Sequence, residues 1–472
     1  MNVWHLGPEL TLVVGAVVVL LSVAFAPRRW QWVGTPLALA AVAGSAVWSL
    51  RLAVGVDQQL TFDRAWALDR VTQGAELTIL TVTALALGLA HEWVRTDPRA
   101  GEYPAVVLFS ATGAMALAGA ADTMEVVVGM LLVSVTGYTL AAYHRASPVA
   151  VEAGMKYFLI GALTNAVLLV GVIVLFGLTG TTTMADTAAV LAARPADTVA
   201  LVAIVAAIGV GLAFEVGAVP AHAWVPDVAQ GAPAPSAAFL TVAPKVGAIV
   251  ALARVLHLLP VDAVDWRVFV ALLAAATMTL GNLAALWQTD LRRLLGWSSV
   301  SQAGYALMAV VVVGRSALAV PALVYFLAAY AVANVAAFGV VVELRGRTRL
   351  DDYRGMAGQR PALAAVLVVA LLSLVGIPPL AGFVGKLALF AATIDAGYGW
   401  LAALAVANTV VSLFYYLRVI GPLYFDAPEA RPVPVLGRWA GAAAVTAGVA
   451  VVVVGLLSDP LLDALMPARL LP

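Results

Sequence analysis

Along this chain, stretches of about 20 residues recur that are almost wholly apolar, each long enough to cross the roughly 30 Å hydrocarbon core of a bilayer as a helix. About fourteen such runs can be marked, near 6–26, 33–54, 72–93, 103–121, 124–143, 152–178, 198–219, 236–258, 266–287, 292–314, 317–343, 361–392, 398–420 and 434–457. The joints between them are short and polar, as in Pro27-Arg28-Arg29, Arg95-Thr96-Asp97-Pro98-Arg99 and Leu344-Arg345-Gly346-Arg347. With 63% hydrophobic and 11% charged residues, the chain cannot cover itself with polar surface. A disordered, collagenous, coiled-coil or cytosolic protein is excluded. The runs are continuously apolar rather than alternating, so helices are expected instead of a barrel, and no strands. The expectation is an all-α integral membrane protein, residues 1–472 forming one polytopic domain of about fourteen transmembrane helices.

Charge and cysteine content narrow the chemistry. Basic and acidic residues balance at 26 each, so no net field points to nucleic acid or an anionic substrate. The absence of cysteine removes disulfides, thiolate nucleophiles and cysteine-ligated zinc or iron–sulfur clusters. The first run, Leu6 to Ala26, lacks a basic leader and is long enough to span, so it reads as the first helix rather than a cleaved signal. Of the 26 basic residues three are lysines and 23 arginines; with fourteen spans, the odd-numbered joints hold 15 arginines and the side carrying both termini holds 8. The positive-inside rule then places both termini outside the cytoplasm.

Two spans are irregular. One carries Glu215-Val216-Gly217-Ala218-Val219-Pro220-Ala221-His222 and runs into a Gly/Pro-rich joint ending at Ser236. The other, 361–392, would measure about 48 Å as a straight helix, too long for the core, and holds Gly376, Pro378, Pro379 and Gly382 in its middle. Proline inside a helix removes a backbone hydrogen bond, and broken backbone at membrane depth survives only where protein or a hydrated cavity covers it. Two such breaks in corresponding parts of a chain point to repeated halves with an ion path at the breaks, and five spans separate them, as repeats of five helices require.

The lysines stand out against this background. Arginine cannot release its proton in a protein, whereas a desolvated lysine can, so a residue that gains and loses a proton inside the bilayer can be lysine but not arginine. Lys245 and Lys386 fall within apolar spans, and both are candidates for proton translocation. The plainer alternative is a structural pairing for each. Lys156, near a helix start, is expected to snorkel. Glu215 lies deep in the first broken span as either a proton carrier or the fixed counter-charge of Lys245. His222, seven residues on, is a further candidate relay or a satisfied histidine at a helix end. The histidines are far apart in sequence, and Ser298-Ser299 has no base at a recognisable spacing, so neither a metal site nor nucleophilic catalysis is expected in this chain.

Several stretches carry a resemblance. They are Glu152-Ala153 with Lys156-Tyr157-Phe158; Ala218-Val219-Pro220 with His222, Trp224 and Pro226-Asp227; and Ala243-Pro244-Lys245. Gly281-Asn282-Leu283-Ala284-Ala285, Ser298-Ser299, Ala303-Gly304-Tyr305, Gly376-Ile377-Pro378-Pro379, Gly385-Lys386 and Tyr415-Tyr416-Leu417-Arg418 follow in order. Over about residues 120–420 the chain resembles the antiporter-like membrane subunits of respiratory complex I, and among them the N-type subunits of NADH-quinone oxidoreductase. The choice within the family rests on Lys386, where the M-type subunits typically have glutamate. The L-type subunits carry a long lateral helix that this chain is too short to contain. The resemblance implies fourteen helices with two inverted five-helix repeats, here about 103–258 and 266–420. It also implies proton translocation driven by electron transfer from NADH to quinone in other subunits of a complex in the bacterial plasma membrane. No cofactor is expected in this chain: flavin, iron–sulfur clusters and quinone belong to partner subunits. By position Lys245 matches the family's central lysine and Lys386 its terminal one.

Three positions depart from the pattern. Leu131 stands where the family usually has a glutamate, Glu215 where it has a lysine and Gln302 where it has a histidine. If Leu131 and Glu215 changed together, they mark a pump with a rewired uptake half and an intact release half. The rival readings are a subunit of a multi-subunit cation/proton antiporter, which shares the fold, and a structural subunit that no longer pumps.

Overall fold

The computed structural model describes residues 2–193, 197–261, 264–427 and 436–472. It is an α-helical bundle. The first part comprises α1 (Gly7–Phe25), α2 (Gly34–Gly55), a short hairpin β1 (Gln59–Thr61) and β2 (Trp66–Leu68), α3 (Arg70–Trp93), α4 (Tyr103–Gly119), α5 (Thr123–Ala141), α6 (Pro148–Thr179), α7 (Met184–Ala193) and α8 (Thr198–Val216). There follow α9 (Trp224–Gly231), α10 (Ala234–Leu240), α11 (Ala243–His257), α12 (Trp266–Leu286), α13 (Leu291–Val312) and α14 (Ala319–Glu343). The chain ends with α15 (Met356–Gln359), α16 (Pro361–Val375), α17 (Ala381–Asp395), α18 (Gly399–Phe425), α19 (Arg438–Leu456) and α20 (Ser458–Leu465).

Among the described residues, twelve helices are long and apolar enough to cross a membrane, with α10 and α11 taken as one span. The apolar runs near 103–121 and 361–392 fall instead on the shorter α4 and on the α16–α17 pair. The joints start helices with polar caps: Asp69, Asp122, Ser147, Asp197 and Asp290 each accept a hydrogen bond from a backbone N–H of the first turn of α3, α5, α6, α8 and α13.

Helices α10–α11, α13 and α14 are enclosed on almost all sides, whereas α1, α2 and α6 turn wide apolar faces outward. The enclosed helices carry most of the polar side chains discussed below, because a polar group facing lipid finds no partner there.

Two features differ from the sequence reading. The joint after α2 folds back as a two-stranded antiparallel hairpin, pairing Gln59 with Leu68 and Thr61 with Trp66. Three-residue strands are too brief to give an alternating signal. The apolar run near 236–258 is also interrupted, at Thr241–Val242, between α10 and α11. Pro244 has no N–H to offer the carbonyl of Leu240, so the helix resets there.

Candidate functional site

Both expected breaks are present, and their backbones match. α8 ends at Gly217 (φ 70°) and α16 at Gly376 (φ 97°), left-handed conformations that glycine adopts freely. In each, the N–H after the glycine reaches back five residues: Ala218 donates to the Ala213 carbonyl (2.8 Å) and Ile377 to the Leu372 carbonyl (3.0 Å). In each, a cis proline peptide follows, Val219–Pro220 and Pro378–Pro379. A lysine side chain lies against each glycine. A Cβ at 217 would stand 4.0 Å from the Lys245 Nζ, and one at 376 only 3.2 Å from the Lys386 Cδ.

Lys386, 3% exposed, sits on α17 with its ammonium turned back on the broken end of α16. It donates to the freed carbonyls of Leu374 (2.9 Å) and Val375 (3.0 Å), and its Nζ lies 4.2 Å from the centre of the Tyr305 ring. Gln302 on α13 donates to the same Leu374 carbonyl (3.0 Å).

Lys245, 2% exposed, lies in the first turn of α11, just after the Thr241–Val242 interruption. Its ammonium donates to the Ser299 carbonyl (2.5 Å) and hydroxyl (2.7 Å) on α13, 5.2 Å from the centre of the Tyr330 ring. The interruption supplies acceptors as well: the Tyr330 hydroxyl donates to the Thr241 carbonyl (2.9 Å), and Asn334 Nδ2 donates to the Thr241 hydroxyl (2.8 Å). Ser299, Gln302 and Tyr305 lie three residues apart along α13, so one face of one helix reaches both lysines. Beside them the Ser298 hydroxyl meets the Tyr416 hydroxyl at 2.5 Å, and Tyr415 donates to Asn282 Oδ1 (3.0 Å).

Glu215 is fully buried, and of its two alternatives the counter-charge pairing with Lys245 is not seen. It accepts from the Ser134 hydroxyl (3.0 Å) and the Tyr157 hydroxyl (3.1 Å); no ion pair joins it to Lys245 among the described residues. Leu131 is 47% exposed and turned outward; Ser134, one turn further along α5, faces Glu215. Leu131 and Glu215 thus do not face each other. His222 lies in the joint between α8 and α9, its ring 5.7 Å from that of Trp297 and its buried Nδ1 without a hydrogen-bond partner. Lys156 is half-exposed and pairs with Glu152 (2.7 Å) and Asp227 (2.9 Å), and Asp227 also meets Arg293 (2.5 Å).

Sequence reasoning missed Ser299 and Tyr330 as the partners of Lys245 and Thr241 and Asn334 as the groups bonded around them, and it noted Gln302 only as a departure. A hydroxyl or amide inside an apolar run was the available signal; which lysine it serves depends on packing between helices. Among the described residues no group of three histidine, aspartate or glutamate side chains is arranged to hold a metal ion.

The family described as NADH:quinone oxidoreductase/Mrp antiporter, TM matches residues 120–412, which span both breaks and both buried lysines. NADH-quinone oxidoreductase subunit N of Mycobacterium sp. (strain JLS) is 44% identical over 457 residues, 96% of each chain. The chain belongs to the NADH-quinone oxidoreductase subunit N family. A second member, subunit N 1 of Streptomyces griseus, is 44% identical over 465 residues, covering 98% of this chain and 97% of that one. Among solved structures, a chain of Thermus thermophilus respiratory complex I with bound aureothin superposes with a TM-score of 0.81 at 32% identity, covering 97% of this chain and 98% of that one. A chain of the Mrp complex from Dietzia sp. shares the fold, with a TM-score of 0.84 at 23% identity over 98% of this chain and 96% of that one. The protein is thus an all-α, multi-pass membrane subunit of the NADH-quinone oxidoreductase class, and relatives of its fold are subunits of larger membrane assemblies.

Proposed function

We propose that this subunit N family member carries protons across the bacterial plasma membrane through Lys245 and Lys386, driven by electron transfer from NADH to quinone in partner subunits. The observation that carries the proposal is the pair of buried ammonium groups at helix interruptions, neither with a carboxylate within ion-pairing distance among the described residues. A lysine held by neutral acceptors can lose its proton without stranding a partner charge, which a fixed ion pair would forbid. The α13 face bearing Ser299 and Gln302 connects the two, so a change in one lysine's charge is felt through one helix at the other.

Glu215, held by Ser134 and Tyr157, stands on the uptake side as a carboxyl separate from Lys245, and His222 offers an unpartnered nitrogen in the joint that follows. Flavin, iron–sulfur clusters and the quinone site are assigned to partner subunits on the family resemblance, and the absence of cysteine supports this for the clusters alone. Residues 103–258 and 266–420 are read as two inverted five-helix repeats, supported by the matching glycine-capped breaks. Both termini are placed outside the cytoplasm on the arginine count.

The test is the proton-to-electron ratio of the reconstituted complex with and without Lys386→Met. The expected result is a lower ratio with NADH oxidation still measurable. An unchanged ratio would mean that this copy is structural and does not pump.

A further inference from the structure

The first three helices hold a polar cluster that has no part in the lysine axis. Glu9 stands in the first turn of α1, on the buried face that continues through Leu12 and Ala16. Ser45 and Ser49 lie one turn apart on the buried face of α2, and Glu76 is on α3. The Ser45 hydroxyl donates to the Pro8 carbonyl (2.9 Å) and the Ser49 hydroxyl to Glu76 Oε2 (2.6 Å), so α2 ties the start of α1 to α3. Glu9 and Glu76, 8% and 2% exposed, meet there carboxyl to carboxyl.

Neither carboxyl has a counter-ion: among the described residues no ion pair includes Glu9 or Glu76. Arg254, the buried cation beside the start of α3, is bound to both oxygens of Asp69 (2.7 and 2.9 Å). The other charges acting on the pair are acidic, Glu125 of α5 on Glu9 and Asp69 on Glu76. Glu76 has its bond from Ser49, but both Glu9 oxygens are buried with no donor at all. Two ionised carboxyls in contact and out of water would add mutual repulsion to the desolvation of each. A carboxylate only accepts hydrogen bonds, whereas a protonated carboxyl donates one. A single proton between the two therefore removes one charge and supplies the donor that Glu9 lacks. The amide dipoles at the start of α1 support the charge that remains. A metal ion fits less well, since among the described residues no third carboxylate or histidine joins these two to complete an oxygen shell.

We propose that Glu9 and Glu76 form a proton-binding site, one proton shared between two carboxyls, with the Ser49 hydroxyl fixed on Glu76. The test is infrared difference spectroscopy of the purified complex, wild type against Glu9→Gln, Glu76→Gln, the double variant and Ser49→Ala. A glutamine amide donates to the carboxylate that remains, which then needs no proton. Each single variant should therefore lose the same protonated-carboxyl C=O band, with the strength of one group, and the double variant should lose no more. Ser49→Ala keeps both carboxyls, so its band should stay and move in frequency. That arm decides the matter if a glutamine variant fails to assemble, a flat difference spectrum counting against the site. A band lost from neither single variant would overturn the proposal, because both carboxyls would then be ionised. Twice the loss in the double variant would overturn it too, showing two acids neutral independently. A band that appears only when choline replaces sodium would mark a metal-cation site instead.

Discussion

At Gly376 the broken helix gives its freed carbonyls directly to a lysine. At Gly217 the indole of Trp224 donates to the Phe214 carbonyl (2.9 Å), which also accepts from the Gly217 N–H, and the lysine, Lys245, is held by α13 instead. The two breaks share a glycine, a five-residue return hydrogen bond and a cis proline peptide, but only the first has a carboxyl, Glu215, two residues ahead of its glycine. The corresponding place at the second is Leu374, whose carbonyl serves Lys386 and Gln302 together. One backbone device therefore supports two chemistries. The second half binds its ammonium with the break itself, while the first separates a carboxyl from an ammonium and seats each among hydroxyls. The difference teaches that a break exposes acceptors, and the packing around it decides who uses them.

The largest effect is expected at the second break. Lys386→Met removes the one group among the described residues that uses both freed carbonyls, and proton pumping should fall by roughly a hundredfold, the scale for losing a positioned proton-transfer group. The proton flux of proteoliposomes checks it. If Lys245→Met were far more damaging than Lys386→Met, the intact-release picture would have to be reversed.

Next come the glycines. Gly376→Ala forces a left-handed residue and places a Cβ 3.2 Å from Lys386 Cδ. Gly217→Ala carries the same backbone cost, with a Cβ 2.8 Å from Val225 Cγ2. Each should cost about 1–2 kcal/mol in backbone conformation, read as a lower unfolding temperature of the complex. Only Gly376→Ala should also slow pumping, since it alone displaces a lysine side chain.

Glu215→Gln keeps an acceptor for Ser134 and Tyr157 but cannot exchange a proton. Pumping should drop several-fold without ceasing. Unchanged pumping in this variant, alongside its loss in Lys386→Ala, would remove Glu215 from the path and leave it a structural acceptor.

Ser299→Ala deletes the hydroxyl that Lys245 donates to while sparing the backbone carbonyl. A loss of about 1–2 kcal/mol in stability is expected, with the pH dependence of pumping displaced and its maximum only modestly lower. No displacement would mean that the carbonyl alone sets the Lys245 environment.

The smallest effect lies at the Lys156–Asp227–Arg293 contact, where α6, α9 and α13 meet. Burial pushes the Asp227 carboxyl up, but hydrogen bonds from Lys156 and Arg293 outweigh it and hold the group below its ordinary value of 3.8. The folded value is thus lower than the unfolded one, so the stabilisation is complete above about pH 4 and lost as pH falls through the folded value. Melting curves of wild type and Asp227→Asn should differ at pH 6 and converge in that acid window.

The sequence by itself determined the all-helical membrane class, the positions of Gly217 and Gly376 and the identity of Lys245 and Lys386. Apolar run length, proline, glycine and a deprotonable amine at membrane depth are local properties, written residue by residue. It did not reveal the interruption at Thr241–Val242, where a single proline acts within an otherwise unbroken apolar run, or the hairpin at 59–68. Nor could it assign partners. Glu215 and Lys245 are plausible mates in one dimension, but helix packing gives Glu215 to Ser134 and Tyr157, gives Lys245 to Ser299, and turns Leu131 outward. The physical reason is that a hydrogen bond is decided within about 3 Å, a distance set by how helices remote in sequence rotate and pack against one another.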